Sequence, residues 1–262
     1  MALSLQGEGP SEGLVFLSPS SLSLRLAGGG PSFGLGWQVQ PFSYPALSKA
    51  LSRSRVHPVT NFLHVGDLPD GLDLGSSVAI DSETMGLRLG RDPLCVVQLS
   101  SGNGDAHVVQ MSRPGYDAPN LKRILTDPKV LKIFHFGRFD IAMFLLHLGV
   151  LTAPVYCTKI ASKLARTYTD RHGLKDVSRQ LLTIELSKAQ QSSDWGSATL
   201  SPEQVAYAAS DVLHLHAIRT RLDAMLARDG RTELAQACFG FLPTRARLDL
   251  SGWPEQDIFA HQ

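Results

Sequence analysis

Residues 77–87 read Ser-Val-Ala-Ile-Asp-Ser-Glu-Thr-Met-Gly-Leu, a short apolar run that ends in two acids. The run has the length and composition of a buried strand, which we predict for Ser77–Asp81. Side chains two apart in a strand point to the same face, so Asp81 and Glu83 should lie side by side. Two neighbouring carboxylates repel each other unless a cation lies between them. The alternative is an ordinary strand end followed by a polar turn.

A third acid follows another predicted strand. The segment Val130–Phe136 is apolar, and Asp140 lies in the first turn of the helix that we predict for Arg138–Leu148. An acid in the first turn of a helix is already favoured by the helix macrodipole. On that alternative, Asp140 stabilises the helix and has no chemical role.

A later helix carries a tyrosine and a fourth acid on one side. Residues 201–204 read Ser-Pro-Glu-Gln, which is typical of a helix start, and we predict one helix from there to about Arg228. Tyr207 and Asp211 are four residues apart and therefore share a face. Their neighbours are small and apolar, and burial of an acid among them is costly unless the acid binds something. The alternative is a helix face exposed to solvent.

Together the four acids have the chemistry of a divalent-metal site. Carboxylate oxygens are the ligands that Mg²⁺ prefers in proteins. Two such ions about 3.5–4 Å apart can stabilise both the attacking and the leaving oxygen of a phosphoryl displacement. We therefore expect two divalent cations, Mg²⁺ or Mn²⁺, held by Asp81, Glu83, Asp140 and Asp211. Tyr207 would then orient the attacking water or help to deprotonate it.

The remaining pattern places strands early and helices late. Two further strands, Leu94–Leu99 and His107–Met111, are joined by an Asn-Gly turn. From Arg245 to Gln262 we expect an extended arm that docks on the domain. This order predicts an α/β layer fold with a mixed sheet. The other predicted helices are Asn120–Leu125, Thr158–Arg166, Leu174–Leu182 and Glu233–Cys238.

The first 60 residues differ in composition from the rest. From Gly13 to Thr60 there is no Asp or Glu, and Ser, Gly, Leu and Pro are abundant. We predict a low-complexity, disordered leader over 1–60 and a folded domain over 61–262. Three explanations of the leader stay open: an over-extended reading frame whose true start is near Thr60, a disordered extension, and an organellar transit peptide.

Charge and cysteine content exclude several classes of protein. The 262 residues carry 25 Lys and Arg against 24 Asp and Glu, a net charge of +1, and residues 61–262 carry 21 against 22. A near-neutral domain without a run of bases lacks the footprint of proteins that bind long nucleic acids. No apolar run is long enough to span a membrane. The three cysteines are far apart and form neither a disulfide framework nor a zinc motif, which favours a reducing, cytoplasmic location.

The acidic segments are similar to the three motifs of the acidic, tyrosine-bearing 3′–5′ exonucleases, the class that includes ribonuclease D. The matching stretches, in chain order, are Val-Ala-Ile-Asp81-Ser-Glu83, Phe-His135-Phe-Gly-Arg-Phe-Asp140 and Tyr207-Ala-Ala-Ser-Asp211. The resemblance implies a ribonuclease-H-like 3′–5′ exonuclease fold, with a mixed central β-sheet flanked by α-helices. It also implies that the four acids are metal ligands and that Tyr207 is the residue that orients the attacking water.

Other stretches are similar to nanoRNase C, the short, single-domain bacterial branch of this class. They are 94–100, 132–140, 157–164, 166–175, 190–195 and 245–261. This resemblance implies hydrolysis of very short RNAs, dinucleotides above all, to nucleoside 5′-monophosphates, and assembly into a closed ring of identical subunits, octameric in form. Two alternatives remain: a general exonuclease that trims longer RNA such as tRNA 3′ ends or degrades DNA, and an inactive nucleic-acid-binding adaptor.

A set of substrate contacts is expected around these motifs. Leu87 would wedge between the two bases, and His135 would touch the sugar or phosphate near the 3′ end. The full set is Thr84, Met85, Gly86, Leu87, His135, Arg138, Lys188, Gln191, Ser193 and Trp195. Met85 stands where the branch usually has leucine. The alternatives are core packing for Leu87, a core histidine with satisfied hydrogen bonds for His135, and ordinary loop residues for the 188–195 segment.

A local cluster of bases would be hidden in the near-neutral total. Assembly of a ring would gather such a cluster around the substrate. The bases that we expect to contribute are Lys132, Arg138, Lys159, Lys163, Arg166, Arg171 and Lys175.

Overall fold

The computed structural model describes residues 60–187 and 189–261. The leader predicted for 1–60 lies outside this part of the chain except for Thr60, and Lys188 lies outside it as well. Within the described residues, no helix is both long enough and apolar enough to cross a membrane.

Within that part of the chain, six strands form one mixed sheet. In chain order they are β1 Asn61–Val65, β2 Ser77–Thr84, β3 Leu94–Ser100, β4 Ala106–Gln110, β5 Leu131–Phe134 and β6 Val155–Cys157. The order across the sheet is β1-β4-β3-β2-β5-β6. Strands β2, β3 and β4 pair in an antiparallel manner, while β1 with β4, β2 with β5, and β5 with β6 pair in parallel. The prediction of an α/β fold with a mixed sheet is confirmed.

The described residues also form seven helices around this sheet. They are α1 Pro119–Thr126, α2 Arg138–Leu148, α3 Thr158–Ala165, α4 Leu174–Leu182, α5 Pro202–Leu213, α6 Leu215–Arg228 and α7 Thr232–Leu250. Helix α5 packs on β2, β3 and β4, whereas α6 packs mainly on α3 and α4.

The topology brings the ends of two strands to the same edge of the sheet. Strands β2 and β5 are parallel neighbours, paired through Ala79 and Ile133. Their carboxyl ends therefore lie side by side, which is where open α/β sheets bind ligands. The turn from β5 into α2 is tight, because a Cβ on Gly137 would lie 2.6 Å from the Cβ of Phe134. This turn sets the first residues of α2 directly beside the end of β2.

The predicted helix from 201 to Arg228 is wrong in one respect, because it is two helices. The capping box between Ser201 and Gln204 is present as expected. The helix is interrupted at His214, which ends α5 and precedes α6. The two helices pack against different partners. The hydrophobic periodicity along the sequence does not reveal the break between them.

The expectation of an extended chain from Arg245 is also wrong, because helix α7 continues to Leu250. The helix passes through Pro243, a residue that normally ends helices because it lacks an N–H. Packing compensates here: Leu242 and Ala246 are buried on either side of the proline. Further on, Asp249 accepts hydrogen bonds from arginines of α2 and α7. Residues 251–261 then follow and are exposed along their whole length.

Two short strands are not foreseen from the sequence. Strand β1 is largely exposed and owes its conformation to pairing with β4. Strand β6 has only three residues and pairs with β5. Both are strands because a neighbour supplies backbone partners, so local composition gives little sign of them.

Candidate active site

Three acids meet at the carboxyl end of β2. Asp81 and Glu83 lie on β2, and Asp211 lies on α5, which packs across that strand. One carboxylate oxygen of each lies within 4.8 Å of the others. Among the described residues, this is the one cluster of three or more potential metal-ligating side chains of this kind. Strand alternation thus places Asp81 beside Glu83, and helix α5 supplies Asp211 as the third acid.

Asp140 stands next to this cluster in the first turn of α2. Its side chain is buried, and its Oδ1 accepts a hydrogen bond of 2.6 Å from the Ser82 hydroxyl. Its charge is close enough to Asp81 to raise the pKa of that carboxyl. The structure therefore gathers all four acids, with three in direct reach of one another and the fourth adjoining them through Ser82.

Burial raises the pKa values of all four carboxyl groups, and repulsion between the acids adds to it at Asp81 and Glu83. Burial is the first cause throughout, and it raises the pKa of Asp140 and of Asp211 to about 7. The pKa of Glu83 rises to about 8, because the charges of Asp211 and Asp140 add to its burial. The pKa of Asp81 is raised well above its usual range by burial and by the other three acids.

This donor set fits a divalent cation. It consists of carboxylate oxygens, which are hard ligands, and it concentrates negative charge that is unstable without a counter-ion. Bound cations would favour the ionised forms and offset both burial and repulsion. The residues present therefore match the metal chemistry expected from the sequence.

Tyr207 lies on α5 one turn before Asp211 and is half-buried. Burial, followed by the negative charges of Asp211, Glu83 and Asp81, raises the pKa of its hydroxyl above the ordinary value. The phenol is therefore protonated at neutral pH and faces the acids as a neutral hydroxyl. Its side of the helix is not the solvated face that the alternative interpretation requires.

Two uncharged side chains that sequence reasoning missed hold acids of the cluster. Gln98 lies on β3 directly opposite Asp81, and its Nε2 donates to Asp81 Oδ2 at 2.8 Å. Ser82 donates to Asp140, as described above. The available signal for Gln98 was one amide side chain inside an otherwise apolar strand.

The segment after β2 forms an exposed lip beside the acids. Leu87 is 82% exposed and Met85 is 49% exposed, so core packing does not account for Leu87. Thr84 closes the turn by donating to the Gly86 carbonyl. A Cβ on Gly86 would lie 2.3 Å from Asp92 Oδ2, so only glycine fits this turn without a shift.

Trp195 is placed differently from the expectation of an open substrate contact. It is only 2% exposed, and its ring lies 6.0 Å from the ring of Tyr207. The loop around it is tied down through its carbonyls, which accept from Gln110, Arg113 and Gln204. Trp195 is therefore a buried side chain that packs beside the ring of Tyr207.

Two other predicted substrate contacts, His135 and Arg138, interact with different parts of the domain. Nδ1 of His135 is hydrogen-bonded to Thr158, and burial followed by the charge of Lys159 lowers its pKa to about 3, so the imidazole stays neutral. Its Nε2 has no hydrogen-bond partner among the described residues. Arg138 points to α7, where it makes a bidentate ion pair with Asp249 at 2.6 and 2.8 Å.

In the loop, Gln191 is exposed, and the Ser193 hydroxyl donates to Gln190. Two of the bases expected in a basic cluster, Lys132 and Arg166, are buried and donate to main-chain carbonyls and side chains of the domain. These two therefore belong to the structural core, and the surface has fewer bases than the sequence suggested.

Residues 66–227 match a protein-family model described as 3′–5′ exonuclease. Among solved structures, NrnC of Brucella melitensis bound to pGG is 53% identical, with a TM-score of 0.76 over 79% of this chain and 100% of that chain. NrnC of the same organism with bound Mg²⁺ is 53% identical, with a TM-score of 0.75 over 78% of this chain and 100% of that chain. A nuclease in its apo form is 57% identical over 79% of this chain and 100% of that chain, with a TM-score of 0.76.

Curated relatives include ribonucleases D from several bacteria. The protein of Gluconacetobacter diazotrophicus is 37% identical over 60% of this chain and 39% of its own length. That of Acidiphilium cryptum is 36% identical over 63% of this chain and 42% of its own length. The chain thus spans about two fifths of the length of these relatives, in contrast to the full length of the solved nucleases.

Proposed function

This chain belongs to the 3′–5′ exonuclease family, in the branch that includes Brucella NrnC, and we propose that its substrates are very short RNAs. The family makes it a metal-dependent 3′–5′ exoribonuclease with divalent cations as cofactors. Dinucleotides are the proposed main substrate, and nucleoside 5′-monophosphates are the products. The observation that carries this proposal is the match over 100% of the length of an NrnC whose structure holds pGG.

The proposed chemistry uses two divalent cations, Mg²⁺ or Mn²⁺. Asp81, Glu83, Asp140 and Asp211 hold them through carboxylate oxygens. The chemistry supplied when both are bound is charge stabilisation at the attacking and leaving oxygens of a phosphodiester. Tyr207 orients the attacking water through its protonated hydroxyl, a role supported by its position beside three of the acids.

The substrate contacts are proposed from the lip and from the buried histidine. Leu87, exposed at the tip of the lip, wedges between the two bases, with Thr84, Met85 and Gly86 shaping the turn beneath it. His135 is proposed to contact the 3′ nucleotide through Nε2, which is buried and has no hydrogen-bond partner among the described residues. A domain with a net charge close to zero suits a substrate with one scissile phosphate, since longer strands need a broad basic surface.

Substrate length is the direct test of this proposal. We expect a 5′-phosphorylated dinucleotide such as pGG to be hydrolysed at least about tenfold faster per 3′ end than a ten-nucleotide RNA, a ratio worth about 1.4 kcal/mol. Initial rates with Mg²⁺ in excess measure this, with a duplex DNA as a third substrate. Equal rates on the dinucleotide and the ten-nucleotide RNA would instead support the alternative, a general ribonuclease D-like exonuclease that trims longer RNA.

We also propose that the chain assembles into a closed ring of identical subunits, octameric in form. Exposed apolar side chains on α7 and the segment after it support self-association, among them Phe241, Trp253 and Phe259. Light scattering on the purified protein should give a mass about eight times the 28.4 kDa of one chain. A mass equal to one chain would contradict the ring.

The domain boundary and the location are proposals of the same kind. We propose that the exonuclease domain begins at about residue 61 and that residues 1–60 form a separate leader. Cys95, Cys157 and Cys238 are free thiols, which supports a reducing compartment and hence a cytoplasmic location.

A further inference from the structure

Gln98 is a polar residue in the middle of a fully buried strand. Every residue of β3 is buried, and the side chain of Gln98 is 0% exposed. Its one side-chain hydrogen bond within the described part of the chain runs from Nε2 to Asp81 Oδ2, and its Oε1 has no partner there. Burial of an amide with an unpaired oxygen costs free energy that a leucine or methionine at this position would avoid.

The position of Gln98 is set by the register of the sheet. It lies directly across from Asp81 in the antiparallel pair of β2 and β3. The amide must turn its N–H towards the carboxylate, because two facing acceptors would repel each other. A hydrogen bond to a charged acceptor is about twice as strong as one between neutral groups. The bond therefore fixes the orientation of the Asp81 carboxylate.

We propose that Gln98 is a positioning residue of the cation site, an inference that rests on the proposed metal-dependent function. By occupying Oδ2 of Asp81 with a neutral donor, Gln98 turns the other oxygen, Oδ1, towards the cluster and leaves the negative charge in place. A lysine or arginine there would hold the carboxylate equally well but would cancel the charge that the cation needs. Ser82 has the same relation to Asp140, because its neutral hydroxyl donates a hydrogen bond to one carboxylate oxygen of that residue.

A buried partner that orients a metal ligand has a measurable effect on metal affinity. Loss of such a partner commonly costs 10–100-fold in affinity or activity. Gln98→Met keeps the length of the side chain and removes the donor, so the strand should stay packed. We expect the Kd for Mn²⁺, measured by electron paramagnetic resonance of the free ion, to rise about 10–100-fold.

Ser100→Ala is the matched control. Ser100 is equally buried on the same strand, and its hydroxyl donates to the Asp105 carbonyl away from the acids. Removal of the Ser100 hydroxyl should lower the thermal unfolding midpoint without changing Mn²⁺ affinity. Gln98→Met should instead weaken Mn²⁺ binding without lowering the midpoint. Gln98→Leu repeats the test with a different shape, should Gln98→Met fail to fold.

The outcomes separate this inference from the function on which it rests. Wild-type Mn²⁺ affinity in folded Gln98→Met or Gln98→Leu overturns the positioning role, and so does an equal loss in Ser100→Ala. Absence of Mn²⁺ binding by the wild-type protein overturns the cation site itself, and the proposed function with it. A loss confined to the Gln98 variants supports the inference.

Discussion

Replacing Asp140 with asparagine should abolish RNA hydrolysis and leave the fold intact. Asparagine has nearly the same shape as aspartate, and its amide oxygen can still accept the hydrogen bond from Ser82. The change removes one of four negative charges that together suit a divalent cation. We expect the rate on a dinucleotide to fall by at least about 10³-fold, as for loss of an essential group.

The matched control for this variant is Asp223→Asn. Asp223 is a partly buried acid on α6 that accepts from Tyr156 and lies outside the acidic cluster. The Asp223→Asn protein should retain wild-type activity. Circular dichroism should show that both Asp140→Asn and Asp223→Asn are folded. An Asp140→Asn protein that hydrolyses RNA at the wild-type rate would rule out Asp140 as part of the cation site.

Asp140 also illustrates how far sequence patterns reach. Strand alternation at Asp81 and Glu83, helix spacing at Tyr207 and Asp211, and motif order were all readable from the sequence. Asp140 meets Asp81 and Glu83 because β2 and β5 are parallel neighbours, so that β2 ends and the helix after β5 begins at one edge of the sheet. Local sequence patterns identify these site residues because each motif lies within a single strand end or a single helix.

The supporting contacts were not readable in this way. Gln98 matters through a cross-strand register, Trp195 through burial behind Tyr207, and Arg138 through a partner 111 residues away. Each depends on which segments pack together, and the composition of a single segment does not encode that. The continuation of α7 through Pro243 has the same origin, because tertiary packing overrides a local helix-breaking signal.

Replacing Tyr207 with phenylalanine should reduce turnover by about 10–10³-fold, because the hydroxyl positions the water and does not itself take its proton. The ring can keep its contact with Trp195, so the thermal unfolding midpoint should change little. The pKa of the hydroxyl lies above its ordinary value, so the wild-type group stays protonated as the pH rises. The fold-loss should therefore be constant from neutral to mildly alkaline pH.

Tyr156→Phe is the control for this change. The Tyr156 hydroxyl donates to Asp223, remote from the acids, and its removal should leave turnover unchanged. Unaltered turnover in Tyr207→Phe would remove the hydroxyl from the mechanism.

Mn²⁺ binding then distinguishes the two roles within the site. Tyr207 is proposed to act on water and not on the cations, so Tyr207→Phe should bind Mn²⁺ as the wild-type protein does, whereas Asp140→Asn should bind it more weakly. If Tyr207→Phe lost Mn²⁺ affinity as well, the tyrosine would be acting by ordering the acids around it. A loss of turnover with unchanged metal affinity is the result expected of a hydroxyl that acts on the attacking water and not on the cations.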